Sequence, residues 1–132
     1  MDFVADTSLL VGLWRRQRWA TLFARENPGK ALGLSWVVLG EFWHGATRAS
    51  HDAEDVREFL GLGIPIMDPA PVVRVYGEIC AALQDNPSYR EIGQNDLWIG
   101  AVATALDRPL VTRNRRHFTQ FPGLRLIALE DE

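Results

Sequence analysis

Short apolar runs alternate with longer stretches of helical period along this chain, and each run stops at a polar or turn-forming residue. No other feature limits the fold as much. Strands that alternate with helices predict a parallel sheet covered by helices on both faces. Phe3-Val4-Ala5 is the first run, and Asp6-Thr7-Ser8 ends it with side chains able to cap a helix. The helix predicted next carries Leu9, Leu10, Leu13 and Trp14 on one face, with Arg15, Arg16 and Arg18 near the other, and closes at Asn27-Pro28-Gly29. Residues 32–36 read as a second strand and 37–49 as a helix with Val38, Phe42 and Ala46 at helical spacing. Residues 53–62 are helical by pattern, and 64–67 form a short strand whose Pro65 predicts a sheet edge. Asp68-Pro69 has the form of an N-cap followed by a first-turn proline, ahead of a helix carrying Val72, Val73, Tyr76, Ile79, Cys80 and Leu83. Residues 96–106 predict a further helix, 110–112 a strand, 114–120 a short helix and 124–129 the last strand. The predicted class is α/β, three layers (α/β/α), with a central, mostly parallel sheet of four to five strands. Right-handed crossovers would align the strand C-termini along one edge, where open α/β sheets bind ligands.

Composition narrows the function. The chain has 132 residues, 47% of them hydrophobic, which suits one domain spanning 1–132 and excludes disorder. A net charge of −3 excludes a generally basic coat, so any contact with nucleic acid must be a local patch. Lys30 is the sole lysine, leaving arginine as the cation available for phosphate. Cys80 is the single cysteine, so no intramolecular disulfide can form and no zinc-finger spacing exists. Asp2 and Asp6 stand where a secretory leader would be basic, and the apolar run 31–40 ends at Glu41, far short of a membrane span. The expected setting is cytoplasmic, without a membrane partner.

Three acids sit oddly. Asp6 ends the first strand, Glu41 interrupts an apolar helix between Gly40 and Phe42, and Asp96 opens an Ala/Gly-rich helix before Leu97-Trp98-Ile99. Each has an ordinary reading: a helix cap for Asp6, an Arg salt bridge for Glu41, a first-turn acid for Asp96. In the predicted topology, however, all three can meet at the carboxyl edge of the sheet. Carboxylates gathered there repel one another and resist desolvation unless a hard cation neutralises them. An oxygen-only set points to Mg²⁺ or Mn²⁺, and such a site suits phosphoryl chemistry.

The residues now resemble a known family. Residues 3–8 (Phe3-Val4-Ala5-Asp6-Thr7-Ser8), 39–45 (around Glu41), 95–101 (around Asp96) and 110–118 (Leu110-Val111-Thr112-Arg113-Asn114-Arg115-Arg116-His117-Phe118) are similar, in order and spacing, to the four motifs of the PIN-domain ribonucleases. Within that family they resemble the VapC-type toxins of type II toxin–antitoxin pairs. The resemblance covers almost the whole chain. It implies a PIN-like fold and a metal-dependent endoribonuclease whose cation is held by Asp6, Asp96 and Glu41. It implies a catalytic contribution from Asn114, which stands where the family often has Asp. Thr7, Thr112, Arg113, Arg115 and Arg116 are the expected substrate-binding residues. The partners it implies are an RNA substrate, a cognate antitoxin, a second copy in a homodimer, and a heterotetramer or larger assembly with the antitoxin. Arg15, Arg16 and Arg18 are read as a solvated helix face. His44 is read as structural or exposed, and His51 and His117 carry no independent signal.

Two other readings compete. A phosphoacceptor receiver domain needs an adjacent acidic pair after the first strand and a late-strand lysine; Asp6 stands alone and Lys30 lies early. A catalytically inactive PIN fold, acting as an RNA-binding or interaction module, fits Asn114 but not three intact acids. A phosphate-binding glycine loop is excluded, since Ala31 follows Gly29-Lys30 and Ala24 stands where the leading glycine belongs.

Overall fold

Five strands pair side by side in parallel in the computed structural model, which describes residues 1–130. They are β1 (Phe3–Ala5), β2 (Leu32–Ser35), β3 (Ile64–Ile66), β4 (Leu110–Thr112) and β5 (Leu126–Ala128), in the sheet order β3-β2-β1-β4-β5. The register pairs Val4 with Gly33 on one side and with Leu110 on the other. Val4, Ala5, Leu110 and Val111 are fully buried, as a central parallel strand covered on both faces requires. Each large apolar side chain buried this way contributes about 1.5–3 kcal/mol, which lets strands of three residues persist. Pro65 lies in the outer strand β3, where its missing N–H costs no ladder bond.

The helices flanking the sheet are α1 (Thr7–Trp14), α2 (Arg18–Glu26), α3 (Trp36–Arg48), α4 (Ala53–Leu60), α5 (Val73–Leu83), α6 (Gln94–Ala105) and α7 (Arg115–Phe118). A 3₁₀ turn spans Tyr89–Glu91. No helix among the described residues is long and apolar enough to cross a membrane.

Two expectations need correction. The first helix does not run on to Asn27. It stops at Trp14, Arg16 takes a left-handed φ of 55°, and α2 starts at Arg18. Gly12 explains the corner: a Cβ there would lie 2.5 Å from Cζ2 of Trp19, so only a glycine lets α2 fold back against α1. Asp68 does not cap the helix that follows. Its Oδ1 accepts the N–H of Ala70 at 3.0 Å, while α5 begins at Val73. Pro71 accounts for the delay, because the residue before a proline is steered away from helical geometry.

With all strands parallel, their C-terminal ends share one edge. Asp6 leaves β1 there, α3 starts there directly from β2, and the loop after β4 carries Arg113 and Asn114 to it. Since α6 returns toward the start of β4, its first turn, with Asp96, lies at the same edge.

Candidate functional site

Asp6 is both a cap and, among the described residues, the most buried acid. Its backbone is extended (φ −79°, ψ 157°), and its Oδ1 accepts the N–H of Thr7 at 2.8 Å, opening α1. Its Oδ2 accepts from the hydroxyls of Thr112 at 2.6 Å and Ser8 at 2.9 Å. Only 2% of Asp6 is exposed. Burial pushes its carboxyl above the usual carboxylate range, and Glu41 adds to that, against the three hydrogen bonds that pull it down.

Glu41 sits on α3, half-buried, and its Oε1 accepts the hydroxyl of Thr7 at 2.6 Å. Asp96 lies in the first turn of α6 with its side chain 20% exposed, and its Oδ2 is 2.8 Å from Nδ1 of His117. Burial raises its carboxyl; Asp6 and Glu41 raise it further, and His117 pulls it down. The three carboxylates, brought from three separate elements, are therefore close enough to oppose one another's ionisation.

A cleft of about 470 Å³ collects them, with Thr7, Ser8, Asn114 and His117 on its walls and Arg15, Gln17, Trp19 and Arg113 among its lining. The guanidinium of Arg113 stands 5.1 Å from the Trp19 ring centroid, and Gln17 accepts the Trp19 indole N–H at 3.0 Å. Two hydroxyls also fasten the loop after β4. Thr112 accepts the N–H of Asn114 at 2.9 Å, and Ser8 accepts the N–H of Arg113 at 3.1 Å.

The expected residues thus divide. Asp6, Glu41, Asp96, Thr7, Arg113 and Asn114 line the one cleft. Thr112 is fully buried and its hydroxyl is committed to Asp6 and Asn114, so it supports the acid and cannot meet a substrate. Thr7 likewise turns its hydroxyl to Glu41. Arg115 and Arg116 line a neighbouring groove of about 550 Å³, which shares His117 with the acidic cleft. Arg15, expected on a solvated face, is exposed and also lines the acidic cleft. His44 is exposed. Ser8 and His117 carry roles the sequence reading missed. The Asp-Thr-Ser triplet was a signal for the first; the second had none beyond its place in the fourth motif.

All-oxygen donors with accumulated negative charge fit a hard divalent cation in chemistry. Among the described residues no three Asp, Glu, His or Cys side chains form a ready metal-binding group. Each acid instead directs oxygens to its own donor, Thr112 and Ser8 for Asp6, Thr7 for Glu41 and His117 for Asp96.

A model of the PIN domain matches residues 3–124 of this chain. Among curated proteins, a ribonuclease VapC1 from Haemophilus influenzae is 26% identical over 129 residues, covering 94% of this chain and 95% of the relative. Among solved structures, the VapBC2 complex of Rickettsia felis bound to a promoter DNA fragment contains a chain that superposes with a TM-score of 0.81 at 23% identity, over 98% of this chain and 99% of that one. A chain of VapBC-1 from nontypeable Haemophilus influenzae superposes with a TM-score of 0.77 at 23% identity, over 97% and 98%. A chain of the DNA-bound VapBC of Salmonella typhimurium gives 0.78 at 21% identity, again over 97% and 98%.

Proposed function

Because this chain belongs to the PIN-domain family, we propose that it is a divalent-cation-dependent endoribonuclease and the toxin of a VapBC-type toxin–antitoxin pair. The observation that carries the reading is the convergence of Asp6, Glu41 and Asp96, from three elements, on one cleft at the C-terminal edge of the sheet. The ribonuclease VapC1 similarity points the same way.

Asp6 and Asp96 would hold Mg²⁺ or Mn²⁺, with Glu41 completing the set directly or through water. Bound there, the cation supplies Lewis acidity, lowering the pKa of water and offsetting charge on the phosphate. Thr112 and Ser8 fix the orientation of Asp6, and Thr7 fixes that of Glu41. Arg113 and Arg15 bring positive charge to the cleft and would attract substrate phosphates. Asn114 offers a neutral amide in the same cleft, suited to orienting water. Water adds to phosphorus as the bond to O3′ breaks, leaving a 5′-phosphate and a 3′-hydroxyl.

In the cell this activity would cut RNA in the cytoplasm, stopping translation and growth until a cognate antitoxin covers the cleft. A guanidinium from the antitoxin can replace the cation among the carboxylates. Related folds occur in solved VapBC complexes and in a toxin–antitoxin complex from Klebsiella pneumoniae, and a homodimer that forms a heterotetramer or larger assembly with the antitoxin belongs to the same reading.

A second reading, a catalytically silent RNA-binding or interaction module, is favoured by the separate hydrogen bonding of the three acids. Cleavage of RNA by the purified chain, with Mg²⁺ or Mn²⁺ and with a chelator, decides between them. The expected result is cleavage that the chelator abolishes and that Asp6→Asn and Asp96→Asn, both folded, lose. Cation-independent cleavage, or wild-type rates from a folded D96N, would overturn the cation mechanism at these acids, and RNA left intact with either cation would favour the silent module.

A further inference from the structure

We propose that His117 is a positioning residue for Asp96, holding that carboxylate toward the acidic cleft and so setting the affinity of the site for a divalent cation. This inference rests on the cation-binding reading above and goes beyond it by giving a function to a residue outside the acid set.

The three acids are restrained in different ways. Asp6 is held by three donors from its own turn and from β4, and Glu41 by the Thr7 hydroxyl. Asp96 has no such neighbour in α6, whose N-cap is Gly93 and brings no side chain. Its donor comes from a different element, α7, through Nδ1 of His117 at 2.8 Å from Oδ2. Repulsion from Asp6 and Glu41 drives a carboxylate at this position outward, toward solvent. A donor on one oxygen opposes that motion and leaves the other oxygen's lone pairs for a cation.

A helix of four residues cannot orient a side chain by itself, so its packing must. Phe118, next to His117, is only 1% exposed, and its ring centroid lies 5.4 Å from that of Phe121. Phe121 in turn fills the space beside Gly100, where a Cβ would fall 2.2 Å from its Cε2. Gly100 lies four residues after Asp96 on α6, one turn along the same face. The aromatic pair therefore locks α7 onto α6 in the register that sets His117 against Asp96. The N–H of His117, bonded to the carbonyl of Asn114 at 3.0 Å, ties it to the loop at the cleft wall.

Structural stabilisation alone would be a weak role for this contact. The His117 side chain is 48% exposed, and exposed pairs contribute little to folding. Positioning makes a different demand: cation affinity should respond while the melting temperature stays. Groups that hydrogen-bond metal ligands from outside typically alter affinity about 10–100-fold when removed.

The test is Mn²⁺ binding to the full chain by titration calorimetry, with melting temperature measured in parallel, for wild type, H117A, H117N and D96N. The amide nitrogen of Asn occupies the position of the imidazole Nδ1, so H117N keeps the donor. We expect H117A to bind Mn²⁺ about 10-fold more weakly or worse at an unchanged melting temperature, and H117N to recover most of the loss. Wild-type affinity in H117A overturns the proposal, as does equal weakening of H117A and H117N with a lowered melting temperature. If wild type fails to bind Mn²⁺, or D96N binds as wild type does, the cation site itself fails and the role of His117 falls with it.

Discussion

Asp96 and Asp6 are raised carboxyls, and the direction has a consequence for stability. Both groups hold a proton more tightly folded than unfolded, chiefly because burial disfavours the anion. Folding then takes up protons in the window between the two values, so these acids cost stability as pH rises through it and remain costly at neutral pH. Removing the charge while keeping an acceptor for His117 relieves the cost. In cation-free buffer Asp96→Asn should be more stable than wild type at pH 7, read as a higher melting temperature. The advantage should vanish below the unfolded value near 3.8 and grow as pH climbs. Thermal melts of both proteins from acid to neutral pH check it; a D96N that melts lower at pH 7, or a difference indifferent to pH, contradicts the electrostatic account. These acids were readable in sequence because each stood against its surroundings, at a strand end, inside an apolar helix, or opening a helix. Their partners were not. Which oxygen Thr112 or His117 meets depends on how β1, β4 and α7 lie against one another, over separations such as the 106 positions between Asp6 and Thr112, and no local pattern encodes that.

Elements were legible wherever hydrophobic period and punctuation agreed, and misread where close packing overrode them. The corner between α1 and α2 is the clearest case. Apolar residues resume beyond it at Trp19, yet Gly12 admits the Trp19 ring and Arg16 reverses the chain. Pro71 had the same effect before α5, delaying a helix that the Asp68-Pro69 pair announced too early. Close packing through a glycine recurs at Gly100, this time beneath the candidate site. Gly100→Ala adds a methyl group where Phe121 stands. Helix propensity favours the change by about 0.8–1 kcal/mol, whereas overpacking costs about 1–3 kcal/mol, so a net loss of roughly 1 kcal/mol is expected. The displaced Phe121 should also shift α7 and weaken Mn²⁺ binding through His117. Chemical denaturation and Mn²⁺ titration of G100A measure the two effects; a variant unchanged in both would mean that Phe121 repacks freely and does not set the position of α7.

At the scale of the whole molecule the problem is charge. A chain of net charge −3, with carboxylates at its reactive edge, repels the polyanion it is proposed to cut. Attraction must then be local, and the arginines are arranged for it: Arg15 and Arg113 in the acidic cleft, and Arg115 and Arg116 along the adjoining groove, with His117 bordering both. A single strand threaded through the cleft and along that groove would displace counterions at each phosphate it meets. Each such contact contributes about −0.7 to the slope of log K against log salt for single strands. Replacing Arg115 and Arg116 together by Ala should therefore flatten the slope by about 1.4 and weaken RNA binding to a similar degree for every sequence. Both side chains are exposed and lie outside the acid set, so the melting temperature should hold. The measurement is fluorescence anisotropy with a short labelled single-stranded RNA, across a salt series, in a D96N background that does not cut. An unchanged slope would show that the strand leaves the acidic cleft in another direction, and that the charge offsetting the net repulsion is confined to Arg15 and Arg113.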